Sequence, residues 1–273
     1  MEDSPYGAAV TAEGFGHRGP RGWAFRSVDI AAEPGALVAV EGPSGSGRTS
    51  LLLTLTGRMR PTEGRCEVGG LQLPRRMAAV RRISALGPVP DVSELDPALT
   101  VAEHLRERVL LRRRFDGSPG ALLRLRPRPH AMTHAMPRSL SWSRAERSAA
   151  ARSRTDEALE AAGVDLATLP KGRHTRVRDL ERLETLRLSV ALALIGRPRL
   201  LAVDDTDLKL SDTDRTEAWK LLRSVADGGT TVLAVCSQAP EGTTVVRTTS
   251  ARTTAGGTTE EGTADALAEA GRV

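Results

Sequence analysis

The sequence predicts an α/β fold with a mixed or parallel sheet at its core, and three observations predict it. An apolar run, ALVAV at residues 36–40, passes through a glycine-rich turn into an apolar helical segment at 50–56. A second apolar run, LLAV at 200–203, ends in two carboxylates, Asp204 and Asp205. A helical segment at 213–226 leads to a third apolar run, TVLAV at 231–235, so strand and helix alternate. Strands buried on both faces of a parallel sheet read as continuous apolar runs of this kind.

The turn after the first run carries the most chemistry. Its residues Gly42, Pro43, Ser44, Gly45, Ser46, Gly47, Arg48 and Thr49 match the phosphate-cradling pattern G-x-x-x-x-G-K-[ST] at every position except Arg48, where lysine is usual. Glycines let several backbone N–H groups converge on one anion, and the helix that follows adds the positive end of its dipole. Gly42 to Ser50 are therefore the candidate nucleotide-binding residues. A carboxylate at the C-terminal edge of a parallel strand stands where ligands bind in such sheets. Asp204 is thus the candidate to hold Mg²⁺ beside the Thr49 hydroxyl.

The other elements are weaker signals. Residues 1–35 read as short strand-like pieces broken by glycine-rich turns, including AFRSVDI at 24–30. Strand-like CEV at 66–68 and RISAL at 82–86 are separated by Gly69 and Gly70. Helical patterns follow at 100–111, 145–162 and 180–195, and the last thirty or so residues are rich in Thr and Gly, with a short helical signal at 264–270.

Composition narrows the function class. A chain of 273 residues, 40% hydrophobic and 27% charged, can bury a substantial core. Three Trp, one Tyr and three Phe leave that core to Leu, Val and Ala. Two cysteines, Cys66 and Cys236, make no disulfide framework or metal site and favour a reducing compartment. No apolar run approaches the roughly 18–20 residues that span a bilayer, and the first residues, MEDSP, lack the regions of a signal peptide. These features predict a cytoplasmic protein that meets a membrane only through a partner. Residues 112–154 carry eleven arginines against Asp116 and Glu146, which reads as an inserted, partly disordered basic segment. A solvated loop is the first reading and an anionic partner or headgroup the second. Nucleic acid is the least favoured, because only Phe115 and Trp142 are there to stack on bases.

In this order the pieces resemble the ATP-binding subunit of an ABC transporter over roughly residues 8–240. The resemblance rests on GPSGSGRTSLLL at 42–53 with LTG at 55–57, PTEG at 61–64, LDPALTVAEHL at 95–105 and ALALIGRPRLL at 191–201. It implies a P-loop NTPase fold of the ABC type, with an N-terminal antiparallel β subdomain and an α-helical subdomain at about 100–196 that contains the basic insertion 112–154. Residues 1–240 would form the nucleotide-binding domain and 241–273 a tail, partly disordered. The cofactors implied are ATP and Mg²⁺. The partners implied are a second ABC subunit, identical or not, and a membrane permease holding the protein at the inner face of the cell membrane.

The departures from the family pattern cluster on residues that do chemistry. Asp205 stands where the family has the glutamate that orients the attacking water, and its side chain is one methylene shorter; reach comes before pKa in judging a general base. Glu181, Arg182 and Leu183 replace the serine and glycines of the signature motif, within LERLE at 180–184. Ser237 takes the place of the switch histidine, and Pro88 lies near that of a glutamine that links magnesium to the helical subdomain. Arg48 keeps the positive charge but offers a planar fork on a longer stem where lysine is a point charge. For the adenine the family uses an aromatic residue upstream of the loop; Phe15 and Trp23 are nearby, and core packing is the first reading of each. Two functions follow: an energising ATPase of low activity, and a non-catalytic switch that binds nucleotide without turnover.

Overall fold

Bulges hide the first two strands from a reader of the sequence. In a computed structural model, which describes residues 6–116, 144–207 and 209–249, β1 (Val10–Gly19) and β2 (Gly22–Ala32) pair antiparallel along almost their whole length. Register shifts between Ala12 and Phe15, Phe15 and His17, and His17 and Arg18 break the two-residue alternation, so one ribbon reads as several short pieces. β4 (Glu63–Val68) joins β1 and β5 (Leu71–Leu73) joins β4, giving an antiparallel sheet of order β2-β1-β4-β5. Phe15 and Phe25 meet beneath it with ring centroids 5.8 Å apart, both fully buried. Trp23 lies under the Arg18 guanidinium, 5.7 Å from the ring centre.

The second sheet is entirely parallel, in the order β6-β7-β8-β3-β9. Three of its strands are the apolar runs: β3 (Leu37–Glu41), β7 (Leu200–Val203) and β8 (Thr231–Cys236). β6 (Ser84–Leu86) is shorter than the sequence suggests, because Arg82 and Ile83 finish helix α2 (Met77–Ile83) instead. β9 (Thr244–Arg247) pairs with β3 on the side away from β8, so the sheet runs past residue 240, where the nucleotide-binding domain was expected to end. The rest of the expected tail, from Ser250 onward, lies outside the described residues.

Alternation along these strands makes two cores. Val38, Val40, Leu200, Ala202, Leu233 and Val235 face α1 (Arg48–Leu55), α2 and the antiparallel sheet. Leu37, Ala39, Leu201, Val203, Val232 and Ala234 face α5 (Arg182–Leu194) and α6 (Asp212–Asp227). Two further helices, α3 (Val101–Asp116) and α4 (Arg144–Ala161), extend this second core through Leu105, Ala158 and Leu159. The expected basic insertion is thus helical at both ends, with Arg112 in α3 and Arg152 and Arg154 in α4; residues 117–143 lie outside the described residues. Arginine and alanine are good helix formers, and charge alone does not interrupt a helix. Among the described residues no helix is long and apolar enough to cross a membrane.

Arginines close the C-terminal ends of two central helices. Arg58 donates to Thr56 O at 3.0 Å and Arg81 to Gly57 O at 2.7 Å, at the end of α1. Arg108 donates to Leu192 O at 3.0 Å and Arg112 to Gly196 O, at the end of α5. Orphan carbonyls and the negative end of the helix dipole both favour a cation there. Burial, with help from Arg81 and Arg108, lowers the Arg58 guanidinium to about 10.

Candidate functional site

The loop after β3 owes its shape to glycines. The Ser46 N–H donates to Pro43 O at 3.1 Å and turns the chain back, while Gly45 and Gly47 take φ values of 78° and 82°. A Cβ on Gly47 would lie 2.0 Å from Ala24 O, so this glycine lets the loop press against β2. A Cβ on Gly45 would meet nothing within 4 Å, on the exposed side of the loop. Helix α1 starts at once, with Gly47 as N-cap, no side-chain cap and no acid in its first turn. No side chain thus occupies its first N–H groups, a helix start that fits an anion. Pro43 and Ser44 are exposed in the loop, and Ser50 continues the helix with its carbonyl accepting from Thr54 Oγ1 at 2.6 Å.

Two neighbouring contacts complete the floor. Thr49 Oγ1 donates to Asp204 Oδ2 at 2.5 Å, joining residues from the two motifs. Asp204 is 2% exposed, its Oδ1 accepts the Asp205 N–H at 2.9 Å, and its own N–H donates to Pro88 O at 2.9 Å. Burial pushes its carboxyl above the usual range, against the opposing Thr49 hydrogen bond. A hydroxyl and a carboxylate at one point form the hard oxygen set that suits Mg²⁺. On the other side of the loop, Ser46 Oγ and Thr248 Oγ1 are 2.7 Å apart, both buried.

The residues that depart from the family pattern are arranged differently. Arg48 Nη1 donates to Cys236 O at 2.7 Å, so its guanidinium reaches across to the end of β8. The next residue, Ser237, donates its N–H to Asp207 Oδ2 at 2.7 Å, and Thr206 Oγ1 donates to Val235 O at 2.7 Å. Asp205 has a positive φ of 49° and lines a cavity of about 310 Å³ with Pro88, Leu95, Arg182, Thr185 and Leu210. At the start of α5, the Glu181 N–H donates to Glu184 Oε2 at 2.8 Å, so the helix is closed by its own carboxylate.

Three participants were not read from the sequence. Asp207 belongs to the acidic stretch after β7, which the dominance of Asp204 and Asp205 obscured. Cys236 acts through its carbonyl, and any residue type supplies one. Thr248 sits in a segment with a single buried apolar position in its strand, Val246, and so gave no periodic signal.

Residues 25–207 match the ABC transporter family. The Nod factor export ATP-binding protein I of Cupriavidus metallidurans is 30% identical over 207 residues, covering 76% of this chain and 55% of that protein. The daunorubicin resistance ATP-binding protein DrrA3 of Streptomyces coeruleorubidus is 33% identical over 226 residues, covering 82% of this chain and 59% of that protein. The chain thus spans between 55% and 59% of the length of these two relatives. Among solved structures, the dimeric structure of MJ0796, a bacterial ABC transporter cassette, shares the fold with a TM-score of 0.61 at 20% identity, covering 88% of this chain and 94% of that one. The two sheets with the glycine-rich loop after β3 make up its cassette, and the chain belongs to the ABC transporter family.

Proposed function

We propose that the cassette binds MgATP at the loop of Gly42 to Ser50, pairs with a second cassette and powers an export permease at slow turnover. The observation that carries this reading is the 2.5 Å contact between Thr49 and Asp204 beside the uncapped start of α1. The loop N–H groups would hold the phosphates, while the Thr49 hydroxyl and Asp204 carboxylate would hold Mg²⁺. When bound, magnesium supplies charge neutralisation at the terminal phosphates. Asp205 would orient the attacking water from the cavity beside Pro88. Export is supported by the names of the relatives, which are an export protein and a drug-resistance protein. Docking would place the cassette at the inner face of a membrane.

Slow turnover is supported by three side chains. Arg48 is engaged with the Cys236 carbonyl, Ser237 offers no imidazole, and Glu184 closes the helix that would cap the partner's nucleotide. Carried to its limit, this supports a second reading, a nucleotide-dependent switch without turnover. Equilibrium binding of a fluorescent ATP analogue, with and without Mg²⁺, tests the shared premise; no binding at millimolar analogue would reject it. Phosphate release against an Asp204→Ala blank, alone and with a candidate permease, then divides the two readings. Release indistinguishable from the blank leaves only the switch. In Arg48→Lys a compact ammonium replaces the fork, and release is expected to rise several-fold.

A further inference from the structure

The floor of the phosphate loop is built from the far end of the chain. Thr248 follows β9 directly, and its N–H donates to Glu41 O at 2.9 Å, extending the β3 pairing by one residue. Arg247 steadies the same turn through a 3.2 Å ion pair with Glu41. The Thr248 side chain then turns beneath the loop, 2.7 Å from Ser46 Oγ, with Ser46 at 0% and Thr248 at 2% exposure. A Cβ on Gly42 would lie 2.4 Å from Thr248 Oγ1, 2.6 Å from Ser46 Oγ and 2.6 Å from Thr248 O, so the hydroxyl pair is packed against the first glycine of the loop. Ser46 in turn sits between Gly45 and Gly47, the two residues whose left-handed backbone sets the direction of the loop amides.

We propose that Thr248 is a positioning residue for the phosphate cradle, acting through Ser46. This rests on the nucleotide-binding reading above and adds a residue beyond the matched family segment, which ends at 207. Thr248 Oγ1 also reaches Glu41 O at 3.4 Å, whereas the buried Ser46 Oγ is left unsatisfied without Thr248, so the pair fixes the rotamer of Ser46. With Ser46 fixed on both its N–H and its Oγ, the flanking glycines lose the freedom that would let the cradle open. The coupling is reciprocal, as any binding linkage must be: a ligand that prefers the closed cradle also holds β9 on the sheet.

The test uses the full chain with Thr248→Val, which keeps the shape and removes the hydroxyl, and Thr248→Ser, which keeps the hydroxyl. Fluorescent ATP-analogue binding is expected to weaken about tenfold in Thr248→Val and to stay within about twofold of wild type in Thr248→Ser. In wild type the analogue is expected to slow hydrogen exchange of the β9 amides, and in Thr248→Val that protection is expected to disappear. A role in stability alone would lower the melting temperature of Thr248→Val yet leave affinity and ligand-dependent protection unchanged; that result overturns the proposal. Should Thr248→Val fail to fold, Ser46→Ala breaks the same pair from the other side and is expected to weaken binding equally. If wild type binds no analogue, the nucleotide reading falls and takes this inference with it. If wild type and both valine and alanine variants bind alike, only the positioning role falls.

Discussion

Two helix starts in this molecule, those of α1 and α5, show how an anion site is made and how it is lost. Both follow a loop, and both stand where the family resemblance expects contact with phosphate. At α1 the N-cap is Gly47, no side chain caps the helix and the first turn carries no acid. At α5 the Glu184 carboxylate accepts the Glu181 N–H, placing negative charge in the first turn. The two helices have the same dipole and the same orphan N–H groups; what separates them is whether the chain has already supplied an anion of its own. Binding capacity at a helix start is thus a matter of what the sequence leaves out.

The contrast breaks most readily at Gly47. Gly47→Ala would set a Cβ 2.0 Å from Ala24 O on a backbone with φ of 82°, and overpacking plus left-handed strain should together cost about 3 kcal/mol, read as a lower urea midpoint. ATP-analogue binding should be lost with it. If Gly47→Ala binds normally, the open geometry of α1 is not what takes the anion.

The contrast sharpens with pH, because the carboxylate beside α1 is buried while those at α5 are not. With its carboxyl pushed up, Asp204 takes a proton at a higher pH than an ordinary aspartate. The Mg²⁺-dependent part of analogue binding should therefore fade as pH drops, earlier than an unperturbed carboxylate would give, and be absent at every pH in Asp204→Asn. Without ligand the sign reverses. A raised folded-state pKa contributes stability below the unfolded value of about 3.9, and this is lost as pH rises through the folded pKa. Asp204→Asn should then be at least as stable as wild type near pH 7, measured by urea unfolding. The smallest effect is at α5, where Glu184→Ala removes the cap and should cost about 0.5–1 kcal/mol while leaving analogue binding by the isolated chain unchanged.

What the sequence made legible was the buried and the periodic. β3, β7 and β8 are continuous apolar runs because both of their faces are covered, and the loop after β3 is legible as a tight turn because few residues other than glycine tolerate the positive φ of Gly45 and Gly47. The ribbon of β1 and β2 was fragmented by bulges that shift the alternation, and β9 went unread because its burial comes from a partner strand some two hundred positions earlier in the chain. The meeting of Asp204 with Thr49 could be anticipated from the strand that Asp204 follows. The destination of the Arg48 guanidinium could not, since its acceptor is a backbone carbonyl brought close only by the pairing of β3 with β8.

The arginine caps on α1 and α5 change how the chain's basicity should be understood. The formal charge is +5 and the isoelectric point near 10, with lysine at only three positions, Lys171, Lys209 and Lys220. Arg58, Arg81, Arg108 and Arg112 each donate to a carbonyl at a helix end, and each end carries roughly half a negative charge. The net charge is unchanged by this pairing, but guanidiniums engaged with helix carbonyls offer less to an outside anion, and retention on a polyanion such as heparin should fall short of what the isoelectric point promises.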